Sequence, residues 1–301
     1  MEEENYITTN GNNNNILNNI QNSTIIIKYN ESQSKKNEKR NYIEQNDINP
    51  KAVLFNNYSP RNKEYYVERN IDNIFKNALN LNNLWIFGKS GVGKTAMIHR
   101  NLLNSNIKYC YCDLSPVDIY DSDIVLNEIL SAIEDEFNLE RNYNQKNVIK
   151  QISNLLCNLN SSKIIIAIDE LSISNEEIYR KIANDLFNLV NYYNNQSEDD
   201  ELTFIVSTII DPLKLILNKS KASSFFQYIC CNPWEDNIED LYILISKHLQ
   251  LNLDDSKKEI ISACKNSPRI LKNIFKNILL QNDNKKESIS IAIQKTLNEI
   301  V

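Results

Sequence analysis

Glycine is nearly absent from this chain. It occurs four times in 301 residues, and three of those four lie within six positions of one another, at Gly88, Gly91 and Gly93. Histidine is scarcer still, with only His99 and His248, and none of the six cysteines forms a C-x-x-C pair, which leaves no cysteine–histidine pattern for a metal. Four of the cysteines (Cys110, Cys112, Cys230, Cys231) fall in strand-like apolar runs, the signature of buried free thiols and of a reducing, cytoplasmic compartment. No apolar run approaches the ~20 residues that span a bilayer, and the acidic, Asn-rich N-terminus has no signal-peptide pattern. The formal charge of −6 gives no support for nonspecific nucleic-acid binding. No internal repeat is visible. What remains is an ordinary globular composition, 42% hydrophobic and 24% charged, long enough for one large or two moderate domains.

The clustered glycines give the chain its organising stretch, Leu84-Trp85-Ile86-Phe87-Gly88-Lys89-Ser90-Gly91-Val92-Gly93-Lys94-Thr95. An apolar strand, a loop and the start of an apolar-faced helix follow in the order of a P-loop, G-x-x-x-x-G-K-[ST], with Gly88, Gly93, Lys94 and Thr95 at its fixed positions. The chemistry explains the spacing. A loop that bends freely turns successive backbone N–H groups toward a phosphate chain, and the following helix adds the positive end of its dipole. Lys94 is then placed to neutralise the β/γ-phosphates and the Thr95 hydroxyl to ligate Mg²⁺. Residues 88–95 are therefore the expected phosphate cradle.

Around this stretch the chain divides into three. Residues 1–60, with an Asn run at Asn12–Asn15, a charged patch from Lys35 to Arg40 and few apolar islands, have the composition of a flexible arm; the patch reads as a solvated linker or, alternatively, a nucleic-acid contact. Residues 61–232 alternate helical patterns with five strands: the P-loop strand, Ile107–Leu114, Lys163–Ile168, Leu202–Val206 and Phe226–Cys231. In the second strand Cys110 and Cys112 share one face and Tyr109 and Tyr111 the other. The continuous β-branched run of the third marks a central parallel strand. Residues 233–301 are wholly helical, with Trp234 at the joint; Ile289, Ile291, Ile293 and Leu297 form a stripe that closes a helical core or serves as a docking surface.

The third strand ends in Asp169-Glu170, at the carboxyl edge where open α/β sheets bind ligands. An aspartate there suits Mg²⁺, and an adjacent glutamate suits a general base for water. Ser207 and Thr208 close the fourth strand, from which a hydroxyl can reach a γ-phosphate or orient water; Ser and Thr also end strands for local reasons. His99 and His248 read as ordinary helix residues.

The arrangement resembles the AAA+ and STAND branches of P-loop ATPases, from about Tyr65 to Leu280. Tyr66-Val67-Glu68-Arg69 resembles the segment that lies against the adenine, which brings Val67 and Arg69 into the expected site. Asp169-Glu170 corresponds to Walker B and Ser207 to sensor 1. Asn266-Ser267-Pro268-Arg269 resembles sensor 2 of origin-recognition-type ATPases, in which an arginine of the helical lid reaches the γ-phosphate. The resemblance implies a three-layer α/β fold with a parallel sheet in the order 5-1-4-3-2 followed by a helical lid. It further implies ATP and Mg²⁺ as cofactors, and an ATP hydrolase whose nucleotide state moves the lid and drives assembly or remodelling of a protein partner, as in bacterial defence or mobile-element ATPases. ATP-dependent homo-oligomers are common in such families, and the polar link Asn194–Glu201 is a candidate subunit contact. One departure stands out. Between the fourth and fifth strands, where these ATPases usually carry an arginine finger, the chain has Lys214, Lys219 and Lys221 but no arginine, and Arg180 is a weak substitute. A nucleotide-gated module that hydrolyses slowly and acts through a separate effector is therefore the alternative, as is a DNA-associated ATPase. The GTPase base-reading motif and the transporter signature are both missing.

Overall fold

The computed structural model describes residues 49–140, 147–159, 161–173, 175–196, 201–214, 225–281 and 285–299. Five parallel strands form one sheet: β1 (Asn83–Phe87), β2 (Lys108–Asp113), β3 (Lys163–Leu171), β4 (Glu201–Thr208) and β5 (Phe226–Cys230). Their spatial order, β2-β3-β4-β1-β5, is the expected one read from the opposite edge, with the P-loop strand internal between β4 and β5. Helices α1 (Pro50–Val53) and α2 (Asn70–Leu79) precede the sheet. Within it come α3 (Lys94–Asn104), α4 (Ser122–Glu136), α5 (Val148–Cys157) and α6 (Glu176–Asn194). The chain closes with α7 (Ile238–His248), α8 (Lys257–Ala263), α9 (Pro268–Gln281) and α10 (Lys286–Asn298).

The period-2 alternation of the strands sorts their side chains into two cores. On one face Trp85, Cys112, Ile166, Ile168, Phe204 and Val206 pack against α4, α5 and α6. On the other Leu84, Ile86, Ile165, Ala167 and Ile205 pack against Phe75 of α2 and Met97 and Ile98 of α3, with Tyr109 and Tyr111 on the same side. The two cysteines of β2 are buried in the first core, as the alternation predicts. The abundant asparagine has a structural use: Asn147 and Asn175 cap α5 and α6, their side-chain oxygens accepting from the first-turn N–H groups.

A third apolar cluster belongs to the carboxyl-terminal helices, with Leu241, Tyr242, Ile245, Ile260, Leu271, Ile274, Phe275, Ile289 and Ile293 in its interior. The stripe on α10 mostly closes this cluster; only Ile291 turns outward. Val53 of α1 and Leu54 just after it are buried in the same cluster. The stretch expected to be flexible up to residue 60 is therefore packed over its last dozen residues, because Val53, Leu54, Phe55 and Tyr58 bury more apolar surface than the Asn-rich composition before them suggests. The Asn run, the patch at 35–40, Lys219, Lys221 and Ile300-Val301 lie outside the described residues, as do positions 197–200 of the polar link. No helix among the described residues is long and apolar enough to cross a membrane.

Candidate functional site

The carboxyl edge of the sheet, the P-loop and the first turn of α9 enclose a cleft of about 570 Å³. Gly91, Gly93, Lys94, Thr95, Asp169, Glu170, Val67 and Arg269 line it together with Tyr65, His99, Tyr111 and Trp234. Residues from 65 to 269, scattered over the sequence, thus converge on one space.

The P-loop is held on three sides. A Cβ on Gly88 would lie 2.3 Å from the Cys231 carbonyl oxygen, so glycine is required where the loop leaves β1 beside the end of β5. The Val92 carbonyl accepts from the Trp234 indole N–H at 2.8 Å and from the Arg69 guanidinium at 3.4 Å. Gly91, at φ 81°, faces the lid, where an added Cβ would meet the Arg269 side chain at 3.0 Å and Ser267 Oγ at 3.3 Å. No local pattern marked this last glycine as a contact point.

Lys94 is buried and donates to the carbonyls of Gly88 (2.8 Å) and Lys89 (3.2 Å). Burial lowers its pKa, while Glu170, Cys231 and Asp169 pull the other way. Asp169 is fully buried at the end of β3; its Oδ1 accepts from the Glu170 N–H at 3.0 Å and its Oδ2 from the Tyr111 hydroxyl at 2.7 Å. Glu170 occupies the left-handed region, φ 56°, where the β3–β4 register slips between Ile168 and Leu171. A bulge of this kind re-aims a side chain at a sheet edge, and a non-glycine residue held there costs about 1–2 kcal/mol. Ser207 lies on the same sheet face as Asp169 and pairs in register with Ile86. It is fully buried, its hydroxyl has no partner among the described residues, and it is not among the residues that line the cleft.

Arg269 reaches from the first turn of α9 across to the loop, donating to Ser90 Oγ at 2.9 Å. Arg69 does not line the cleft. Its guanidinium is buried against the Trp234 ring at 4.4 Å and braces the loop from behind, so of the pair expected at the adenine only Val67 faces the open space. A short sequence match fixes where a segment runs, and a side chain as long as arginine can still turn inward. Gly88, Lys89, Ser90 and Val92 form the loop itself. His99, read from sequence as an ordinary helix residue, sits one turn after Thr95 on α3 and faces the cleft. That i, i+4 spacing was the available signal.

Among the described residues no three His, Cys, Asp or Glu side chains converge on a single metal-binding point. Thr95 and Asp169 supply one hydroxyl and one buried carboxylate, an oxygen-only set that suits Mg²⁺, which keeps most of its waters and is completed by phosphate oxygens.

At the other end of the cleft, Lys272 of α9 donates to the Phe55 carbonyl at 2.8 Å and lies over the Phe55 ring. Those contacts favour the ammonium, but burial and the neighbouring Lys276 outweigh them and lower its pKa to about 7. The unfolded chain holds this proton up to its ordinary value of 10.5, so it binds more protons than the native state above pH 7 and stability rises with pH there. Between pH 6.5 and 8.5 the group should contribute an increase of about 2 kcal/mol. Urea unfolding of wild type and Lys272→Met at those two pH values should show a steeper rise in the wild type; parallel changes would refute it.

No protein-family model matches the chain, and no curated protein does. Solved structures do. The Walker-type ATPase of Pyrococcus abyssi superposes with a TM-score of 0.57 at 15% identity, over 79% of this chain and 73% of that one. The ORC2 protein of Aeropyrum pernix, in ADPNP–ADP complexes, gives 0.57 at 14% over 81% and 71%. The ORC1 protein of the same organism, in complex with DNA, gives 0.56 at 12% over 81% and 68%. The chain has the AAA+ P-loop ATPase fold. At these identities the likeness is one of architecture, and the sheet order and the helices after residue 237 expected of an AAA+ chain are both present.

Proposed function

We propose that this AAA+-fold chain binds ATP with Mg²⁺ and hydrolyses it, the nucleotide state being read by the helical lid. The observation that carries the reading is the Arg269–Ser90 contact: the lid arginine already touches the P-loop, in the same cleft that holds Lys94, Thr95, Asp169 and Glu170. Lys94, now donating to two loop carbonyls, exchanges them for phosphate oxygens. Thr95 and Asp169 would hold Mg²⁺, whose charge offsets that of the phosphates when it is bound. Glu170 accepts the proton of the attacking water and Arg269 stabilises charge on the γ-phosphate, while the buried Ser207 would act on the water only through a movement of the cleft wall. Gly88 to Thr95 wrap the phosphates, and Val67 lies against the base.

The lid's position on the loop supports a protein partner or a second copy of the chain as the recipient of the change, in a soluble compartment such as the cytoplasm. A second reading has its own support. The segment from β4 to β5 contains no arginine, and Lys214 at its start is exposed, which suits a slowly hydrolysing, nucleotide-gated module that acts through a separate effector, including one of a defence or mobile-element system. A DNA-associated role has only the fold shared with a DNA-bound ORC1 structure in its favour, and the net charge of −6 weighs against it.

Equilibrium titration with ATP and Mg²⁺ tests the core reading; no binding would remove it. Arg269→Ala tests the lid. A charge-assisted contact of about 1.5–3 kcal/mol should be lost, weakening ATP binding at least tenfold. Light scattering with and without ATP should show nucleotide-dependent assembly in the wild type that the variant blunts. Unchanged affinity in Arg269→Ala would return this residue to an exposed helix start, and an ATP-independent monomer would end the assembly claim.

A further inference from the structure

Asp169 is bounded by other carboxylates. Asp113 stands directly opposite it in the β2–β3 ladder, and Glu170 follows it in the chain. A fully buried carboxylate in such company needs donors, and among the described residues it has two of different kinds. One is fixed by the backbone, the Glu170 N–H on Oδ1, and is available whatever side chain occupies position 170. The other is the Tyr111 hydroxyl on Oδ2 at 2.7 Å, and it depends on a single side chain. Asp113 does not compete for that donor: its own carboxylate accepts from the Ser115 N–H at 2.9 Å.

The Tyr111 ring is itself held. The His99 ring lies 4.2 Å from it, centre to centre, at an interplanar angle of 36°. His99 is one helical turn beyond Thr95, so the helix that carries the hydroxyl expected at the metal also clamps the tyrosine that grips the expected metal carboxylate. Tyr111 packs on the α3-facing side of β2, and its hydroxyl reaches across to the neighbouring strand.

We infer that Tyr111 is a positioning residue for magnesium: its hydroxyl, with the ring clamped by His99, fixes the rotation of the Asp169 carboxylate so that the lone pairs left free face the cation beside Thr95. The inference rests on the nucleotide reading given above. It assigns Tyr111 no contact with ATP and no proton transfer.

Tyr111→Phe is the discriminating variant, since it keeps the ring, its packing and the His99 contact and removes only the donor. ATP affinity of wild type and variant should be measured by equilibrium titration at one pH, in excess Mg²⁺ and again in EDTA, on the Glu170→Gln background so that no ATP is consumed. Lys94→Ala serves as the non-binding control. Removal of an outer-shell partner of a metal ligand weakens metal affinity by about 10–100-fold. The gain in ATP affinity brought by Mg²⁺ should therefore shrink at least tenfold in Tyr111→Phe, while affinity in EDTA stays at the wild-type value. An undiminished gain from Mg²⁺ would overturn the inference, and an equal loss in both buffers would make Tyr111 a packing residue of the cleft wall. Failure of the parent protein to bind ATP in either buffer would refute the nucleotide reading itself, an outcome distinct from both.

Discussion

Glu170→Gln should leave ATP bound and stop its turnover. The side chain sits half-buried in the cleft, and its backbone is held in the left-handed region by the β3–β4 bulge. Glutamine has the same length and shape, and the backbone N–H that donates to Asp169 is unaffected, so the aspartate keeps that bond. Only the ability to accept a proton from water is lost. General-base catalysis contributes about 10²–10⁴-fold, and phosphate release should fall by that factor while ATP affinity changes little. Parallel measurement of phosphate release and nucleotide binding separates the two. Equal turnover in wild type and variant would remove Glu170 from the mechanism. Negligible turnover in both, with intact binding, would favour the nucleotide-gated module.

Gly88→Ala should damage the fold and the cleft together. The new methyl would lie 2.3 Å from the Cys231 carbonyl oxygen and 3.2 Å from its carbon, both backbone atoms with no rotamer to relieve the overlap. The neighbouring bonds resist movement as well: the Cys231 N–H donates to the Phe87 carbonyl at 2.7 Å, and the Gly88 N–H to that of Thr208 at 3.3 Å. Separating the ends of β1 and β5 should cost about 1–3 kcal/mol, a melting-temperature loss of several degrees for a domain of this size. Because Lys94 donates to the Gly88 carbonyl, the displaced loop should also bind ATP at least tenfold more weakly. Gly91→Ala is the informative contrast. Its methyl would press on side-chain atoms of Arg269 and Ser267, which can shift with the lid, so beyond the about 1–2 kcal/mol of a side chain at φ 81° it should add little to the stability loss while it disturbs nucleotide affinity. Thermal melts and titrations of the two variants should give opposite rankings; a Gly91→Ala protein less stable than Gly88→Ala would refute the account.

What the sequence made legible was whatever a local pattern encodes. The P-loop spacing located the loop between β1 and α3, and the β-branched run at Ile164–Ile168 identified an internal strand, which runs on through Asp169 to Leu171. The sheet order came from resemblance, because periodicity says nothing about which strands are neighbours. Features that depend on distant residues meeting were beyond its reach. Arg69 is turned inward by Trp234, 165 positions away in the chain. The left-handed conformation of Glu170 follows from a register slip against β4, which no pattern in β3 announces. Tyr111 looked like half of an alternating strand, and its hydroxyl acquires meaning only when β2 lies beside β3. The packed segment from Val53 to Tyr58 was hidden by the asparagine-rich stretch before it, since a few apolar residues suffice once a preformed cluster receives them.

The indole of Trp234 donates to the Val92 carbonyl, two residues along the loop from Ser90, which accepts from Arg269. The chain has only one other tryptophan, and Trp85 is sealed in the sheet interior between Tyr179 and Phe226. Any swing of the helices relative to the phosphate loop must therefore alter the surroundings of one emitter and leave the other as a constant background. The protein carries its own optical gauge beside the loop, readable by ultraviolet emission without a label, and Trp85→Phe would leave that signal with a single source.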